Sequence, residues 1–310
     1  MKKLFFISIA FFAISCSKEQ IESNLNSELE ISKVETFKEI TYKGFTAAIP
    51  ESFPVEVGSF NANDLENISN QPNSKNLRGT QSNSFDDIIE KVRKRYPDIL
   101  NFDPKDYKKY FPKLSINEIQ KEQEMVLTFV ESLMGYEIAV EYSKLSNKNL
   151  RVAFEPNSCE KWFYAGHLRL DRDGLETAAN KSFEYAGYGY KDKSDANRHA
   201  VWNVYLGKYG AYRYSTVDRV KEVVKGLTDA HECNTSDDLD KAMDLHNNDV
   251  GIQYLGTIAE RYHAGFLNYS TQVLTSDQDI YNYVNNLNTV TKTTVSEINA
   301  QNNTTLVKTL

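Results

Sequence analysis

The amino-acid sequence predicts a mainly α-helical protein with a small extended region near its N-terminus. Three observations predict it. Apolar residues recur at helix spacing through most of residues 84–288, Ser, Thr or Asp stands before most of those runs, and β-branched alternation is concentrated in residues 35–60.

In chain order, Met1-Lys2-Lys3 supplies a positive start, and residues 4–14 run apolar apart from Ser8. Eleven residues are too few to cross a bilayer core, which takes roughly 20, but they fit the apolar part of an export signal. The following Ala13-Ile14-Ser15-Cys16 resembles the lipobox of bacterial lipoproteins, which implies that Cys16 carries the lipid. Residues 1–15 are therefore expected to be a signal peptide and residues 16–34 a polar tether. The expected location is the cell envelope, anchored to a membrane through lipid on Cys16, with the outer membrane favoured. Loss of the leader takes the formal net charge from −7 to −9, which argues against nucleic acid as a partner.

Residues 35–83 read as short strands followed by a polar linker. Phe37 to Tyr42 and Phe45 to Ile49 alternate around Gly44, and residues 61–83 are rich in Asn, Ser and Gln. Residues 84–160 turn helical: Ser84 precedes a run to Arg95, and Ser115 precedes a run from Ile116 to about Leu145, long enough for two helices with Gly135 as the kink. Residues 161–288 predict further helices, capped by Asp173, by Asp192 or Ser194, by Ser215 or Thr216, by Ser236 and by Ser276. The Ser236-capped helix is expected to run to about Tyr262. The Thr- and Asn-rich residues 289–310 are expected to be a fraying polar tail. With Cys16 committed to lipid, Cys159 and Cys233 either pair outside the cytoplasm or remain buried thiols.

The chemistry-bearing residues gather in 192–251. Three of the five histidines fall there, each in a polar cluster. At about 100° per residue, Asp195, His199 and Asn203 share one helix face, with Trp202 about 60° from His199. Asp244, Asn247, Asn248 and Gly251 share another, from which His246 points about 200° away. His231 and Glu232 reach one pocket only at a fraying helix end. A carboxylate with neutral imidazoles can hold a divalent metal such as zinc, or act as a general base with Asn and Arg donors nearby. His199, His231, Glu232 and Asp244 are accordingly the expected catalytic groups or metal ligands. Arg198, Trp202, Asn203, Asn247 and Asn248 are the expected substrate-binding groups. His167 and His263 read as structural or exposed, and the Tyr-rich residues 185–190 and 209–214 as packed loops that can also rim a pocket. No His-Glu-x-x-His, Cys-x-x-Cys, Gly-x-Ser-x-Gly or phosphate loop occurs.

The order Asp195-Ala-Asn-Arg-His-Ala-Val-Trp-Asn203, then Asp229-Ala-His-Glu232, then Met243-Asp-Leu-His-Asn-Asn248 and Gly251 resembles an uncharacterised bacterial domain. That domain occurs in lipoproteins and at the C-termini of secreted RHS-type repeat proteins. The resemblance covers about residues 160–262 and implies that Arg198, His199, Trp202, Asn203, Asp229, His231, Glu232, Asp244, Asn247 and Asn248 matter. Its occurrence in secreted effector-like chains implies a hydrolase. The expected function is thus a membrane-tethered, metal-assisted hydrolase. The alternative is a non-catalytic envelope protein using the same residues as an internal hydrogen-bond network.

Overall fold

The computed structural model describes residues 36–51, 53, 83–146, 158–265 and 268–310. The expected signal peptide, Cys16 and the tether lie outside the described residues, as does most of the expected polar linker.

The described chain is mainly α-helical. Strands β1 (Phe37–Tyr42) and β2 (Phe45–Pro50) form an antiparallel hairpin with Tyr42 opposite Phe45. Both turn residues, Lys43 and Gly44, have positive φ (47° and 85°), the backbone that a two-residue hairpin turn requires. Helix α1 (Asn83–Arg93), α2 (Ile116–Lys121) and α3 (Gln123–Ser146) pack with this hairpin. Tyr42, Ile49, Ile88, Val92, Phe111 and Phe129 belong to their shared apolar core. The two-helix division of the 116–146 run is present, but the break falls at Glu122 and not at Gly135. A Ser115–Glu118 capping box starts α2.

The second half holds α4 (Ser158–Gly166), α5 (Arg172–Ala186), α6 (Lys193–Tyr205), α7 (Val217–His231) and α8 (Asp238–Ile258). A π-helical turn (Leu206–Gly210) extends α6, and a 3₁₀ turn (Glu232–Asn234) extends α7. The N-caps are Asp171 for α5, Asp192 for α6, Thr216 for α7 and Asp237 for α8. Asp171 corrects the expected Asp173, and Asp237 the expected Ser236. Helix α8 stops at Ile258, because Ala259–His263 (β3) pairs antiparallel with Tyr269–Val273 (β4). Then follow α9 (Asp277–Asn285), β5 (Thr289–Thr291), α10 (Val295–Asn299) and β6 (Leu306–Lys308).

Residues 289–310 therefore do not fray. Strands β5 and β6 pair in parallel, and Ile298 and Val307 pack with Met243 of α8 in a small apolar core. Ile298, Leu306 and Val307, the buried apolar side chains of an otherwise polar segment, suffice to dock it. Helices α6 and α8 lie against each other at Gly251, where an added Cβ would stand 2.1 Å from the Ala200 carbonyl oxygen. Only a glycine allows backbone to approach backbone that closely. Among the described residues, no helix is long and apolar enough to cross a membrane.

A buried ion cluster joins the two halves. Arg169, fully buried, donates from Nη1 and Nη2 to Glu124 (3.1 and 2.7 Å) and from Nε to Glu131 (3.1 Å). Its backbone N–H also donates to Glu131, and its guanidinium stacks over the Tyr214 ring. Glu124 further accepts from the Ser215 N–H and hydroxyl. Burial raises the Glu124 carboxyl, but the Arg169 charge and these hydrogen bonds outweigh it and hold it down at about 2.

Candidate functional site

The packing of α6 on α8 brings together two polar helix faces. Asp192 caps α6 by accepting from the Asp195 N–H, which fixes Asp195 in the first turn, where the helix dipole favours a carboxylate. One Asp195 oxygen accepts from the Lys191 N–H at 2.6 Å, and the other accepts from Arg198. Arg198 also donates to the Gly189 carbonyl at 2.8 Å, so the loop before α6 is tied to the site at two points.

One turn on from Asp195, His199 Nε2 stands 3.6 Å from Asp195 Oδ1 and 3.2 Å from Asp244 Oδ1 of α8. On the far side of the ring, Nδ1 faces Asn248 Oδ1 at 3.3 Å. Asn203 Nδ2 donates both to that same oxygen (2.7 Å) and to the His199 carbonyl (2.9 Å). The Thr228 hydroxyl of α7 lies 3.3 Å from Asn203 Oδ1. All of these side chains are buried; His199 and Asp244 each keep 8 % exposure.

The electrostatics are lopsided. Burial, together with the charges of Glu232, Asp195 and Asp240, pushes the Asp244 carboxyl up to about 8 against the opposing Arg198 charge. Burial, aided by Arg198, pushes the His199 imidazole down to about 3, although the Asn248 hydrogen bond opposes this. Burial also raises Asp195, against its Lys191 and Arg198 partners. Among the described residues, the acceptor Asp244 Oδ1 and the donor Asn248 Nδ2 of the site lack a hydrogen-bond partner, as do Trp202 Nε1 and Asp240 Oδ1. Buried polar atoms are normally satisfied, so each orphan asks for an explanation.

The sequence-expected residues fall into three groups. His199, Asp244, Asn203 and Asn248 converge, and Arg198 borders them through Asp195. Glu232, buried at the end of α7, accepts from the Thr235 hydroxyl at 2.8 Å and acts on Asp244 by its charge. His231 is engaged elsewhere: its Nδ1 faces Glu160 of α4 at 2.7 Å, and its ring meets Trp202 edge-on at 5.0 Å. The Glu160 hydrogen bond raises the His231 imidazole against burial. A Cys159–Cys233 disulfide ties the same two elements together, which decides between the two states open for these cysteines.

Asn247 is the clearest displacement from expectation. Its amide donates to the Val307 carbonyl at 2.8 Å and accepts from the Val307 N–H at 2.9 Å. It holds strand β6 in place and contributes nothing to the His199 cluster. His246 likewise bonds the Thr305 carbonyl at 2.8 Å on the side of α8 away from the cluster. Asp229 is a surface partner of Lys225 at 3.1 Å.

Among the described residues, Asp195, His199 and Asp244 form a group in which each offers one ligand atom within 4.8 Å of the others. Asp195 replaces His231 and Glu232 in the donor set expected from sequence. The sequence carries its signal, since Asp195 stands four residues before His199 on the shared helix face.

No curated protein and no solved structure matches this chain. Residues 167–278, which include α5 to α8 and every residue of the cluster, match a family model described as a domain of unknown function (DUF6973).

Proposed function

We propose that this chain is a lipid-tethered, extracytoplasmic hydrolase whose metal-assisted reaction takes place at the Asp195–His199–Asp244 cluster. The observation that carries the reading is the pair of buried orphans, Asp244 Oδ1 and Asn248 Nδ2, flanking a neutral imidazole. A protein that needed these groups only for stability would satisfy them; one that presents them to a ligand leaves them open. The cluster supplies what hydrolysis asks for first: carboxylates and an imidazole set to activate water.

The location rests on the lipobox-like Ala13-Ile14-Ser15-Cys16 and on the Cys159–Cys233 disulfide, a bond that persists in oxidising compartments. Two experiments test the reading. Cys16→Ser releases the protein from the membrane fraction if the tether is right. A panel of ester, phosphoester and lipid substrates, with divalent cations added, gives turnover that Asp244→Asn abolishes; no turnover on the whole panel contradicts the hydrolase.

A further inference from the structure

The hydrogen-bond chain behind His199 fixes which ring nitrogen carries its proton. A backbone carbonyl only accepts, so the Asn203 atom 2.9 Å from the His199 carbonyl is the amide nitrogen. That nitrogen also donates to Asn248, so the Asn248 atom facing it is the oxygen. The same oxygen faces His199 Nδ1 and asks it for a hydrogen. In a neutral ring, the one N–H is then spent on Nδ1, and Nε2 presents a lone pair.

Nε2 stands close to two more acceptors, Asp244 Oδ1 at 3.2 Å and Asp195 Oδ1 at 3.6 Å. Three electron-rich atoms thus gather round one space; Arg198 answers Asp195 Oδ1, Asp244 Oδ1 is a buried orphan, and a cation among the three relieves their repulsion. We propose that Asp195, His199 through Nε2, and Asp244 are the protein ligands of a divalent transition cation of the zinc class. The proposal rests on the hydrolase reading only for what the cation is used for.

The dimensions agree. Bonds of about 2.1 Å meeting at about 90–120° put neighbouring ligand atoms about 3.0–3.6 Å apart; His199 Nε2 meets this toward both carboxylates, at 3.2 and 3.6 Å, and the three ligand atoms all lie within 4.8 Å of one another. An imidazole nitrogen with two carboxylates suits zinc or manganese better than calcium or magnesium, which prefer all-oxygen shells. The outer partners also match a metal site. A ligating histidine normally donates its other N–H to an oxygen, as Nδ1 does to Asn248, and ligating carboxylates are themselves hydrogen-bonded, as Asp195 is by Lys191 and Arg198. Three protein ligands leave at least one position for water, the arrangement of catalytic sites.

The competing explanation is a proton on Asp244 shared with Nε2, and Asp244→Asn separates the two. Its amide can donate to Nε2 and so preserves a shared-proton network, while it removes a metal ligand. The experiment is calorimetric titration of the chelator-stripped full chain with Zn²⁺ alone, and with Ca²⁺ alone, alongside thermal melts that show each variant is folded. Expected is one Zn²⁺ per chain with a raised melting temperature, no comparable response to Ca²⁺, and affinity lowered by about 100-fold or more in Asp244→Asn and in His199→Gln. Absence of stoichiometric Zn²⁺ binding in folded wild type, or binding unchanged in both variants, overturns the proposal. Turnover by a chain that binds no Zn²⁺ overturns the site while leaving a hydrolase standing, whereas Zn²⁺ binding without turnover supports the site and removes the hydrolase.

Discussion

Among the described residues, two buried polar centres differ in character. Around Arg169 the charges balance: Arg169 and Arg219 face Glu124 and Glu131, and every carboxylate oxygen of the two glutamates has a donor or a close cation. Around His199 they do not. Asp244 feels Glu232, Asp195 and Asp240 as negative charges, Asp195 feels Asp240 and Asp192, and Arg198 is the cation that opposes them; an acceptor, Asp244 Oδ1, stays unpaired here, whereas the unpaired atom at the Arg169 centre is a donor, Arg219 Nε. A balanced centre holds a fold together, because any change in it strands a buried charge. An unbalanced one stores unfavourable interactions, which persist where a ligand relieves them.

The contrast predicts different responses to substitution. The largest loss is expected at the balanced centre: Arg169→Met leaves Glu124 and Glu131 buried without their main partner and costs about 3–5 kcal/mol, measured by urea unfolding. Next comes the scaffold of the other centre. Gly251→Ala sets a methyl against the Ala200 carbonyl of α6 and costs about 3 kcal/mol, the upper end for overpacking, because backbone cannot step aside. If Gly251→Ala is as stable as wild type, the close approach of α6 and α8 is wrong, and the His199–Asp244 contact with it.

The pH dependence of stability has opposite signs at the two centres. The folded value of Glu124, about 2, lies below its ordinary 4.5. Its contribution is full above pH 4.5 and is lost as pH falls toward 2. Asp244, at about 8 in the metal-free fold, lies above its ordinary 3.8. Its contribution is present below 3.8 and disappears as pH rises toward 8. Glu124→Gln should therefore flatten the acid limb of the stability curve, and Asp244→Asn the decline on the neutral side. Identical curves for Asp244→Asn and wild type in chelator would contradict the strained state assigned to Asp244.

How much of this was legible in sequence depended on distance along the chain. The hairpin of β1 and β2 showed in its alternation around Gly44. Helical periodicity placed Asp195, His199 and Asn203 on one face, and Asp244 and Asn248 on another. Two such faces can meet only if the helices touch, and Gly251 is the residue that permits contact. What sequence could not resolve was how side chains choose among partners far away. Asn247 sits on nearly the same face as Asn248, yet it turns to Val307 sixty residues on. His231 turns to Glu160, seventy-one residues back. Residues 289–310 are polar for the most part, and their few apolar side chains are buried with residues far back in the chain: Ile298 and Val307 in one cluster with Met243, and Leu306 in the larger core. Gly135 looked like a kink, but an added Cβ there would stand 3.0 Å from Gly166, so the glycine serves the packing of α3 on α4.

The most direct test of the central contrast is the unfolding free energy of two matched substitutions, Asp244→Asn and Glu131→Gln, measured in chelator at pH 7. Each replaces one buried carboxylate by its amide. Glu131→Gln should cost about 3 kcal/mol, since it turns an acceptor of Arg169 into a donor. Asp244→Asn should leave stability unchanged or raise it by about 1 kcal/mol, since its N–H can meet His199 Nε2 and folding no longer has to hold a carboxyl in its protonated form. Equal losses at the two positions would make the His199 cluster one more structural network, and the proposed site would fall with it.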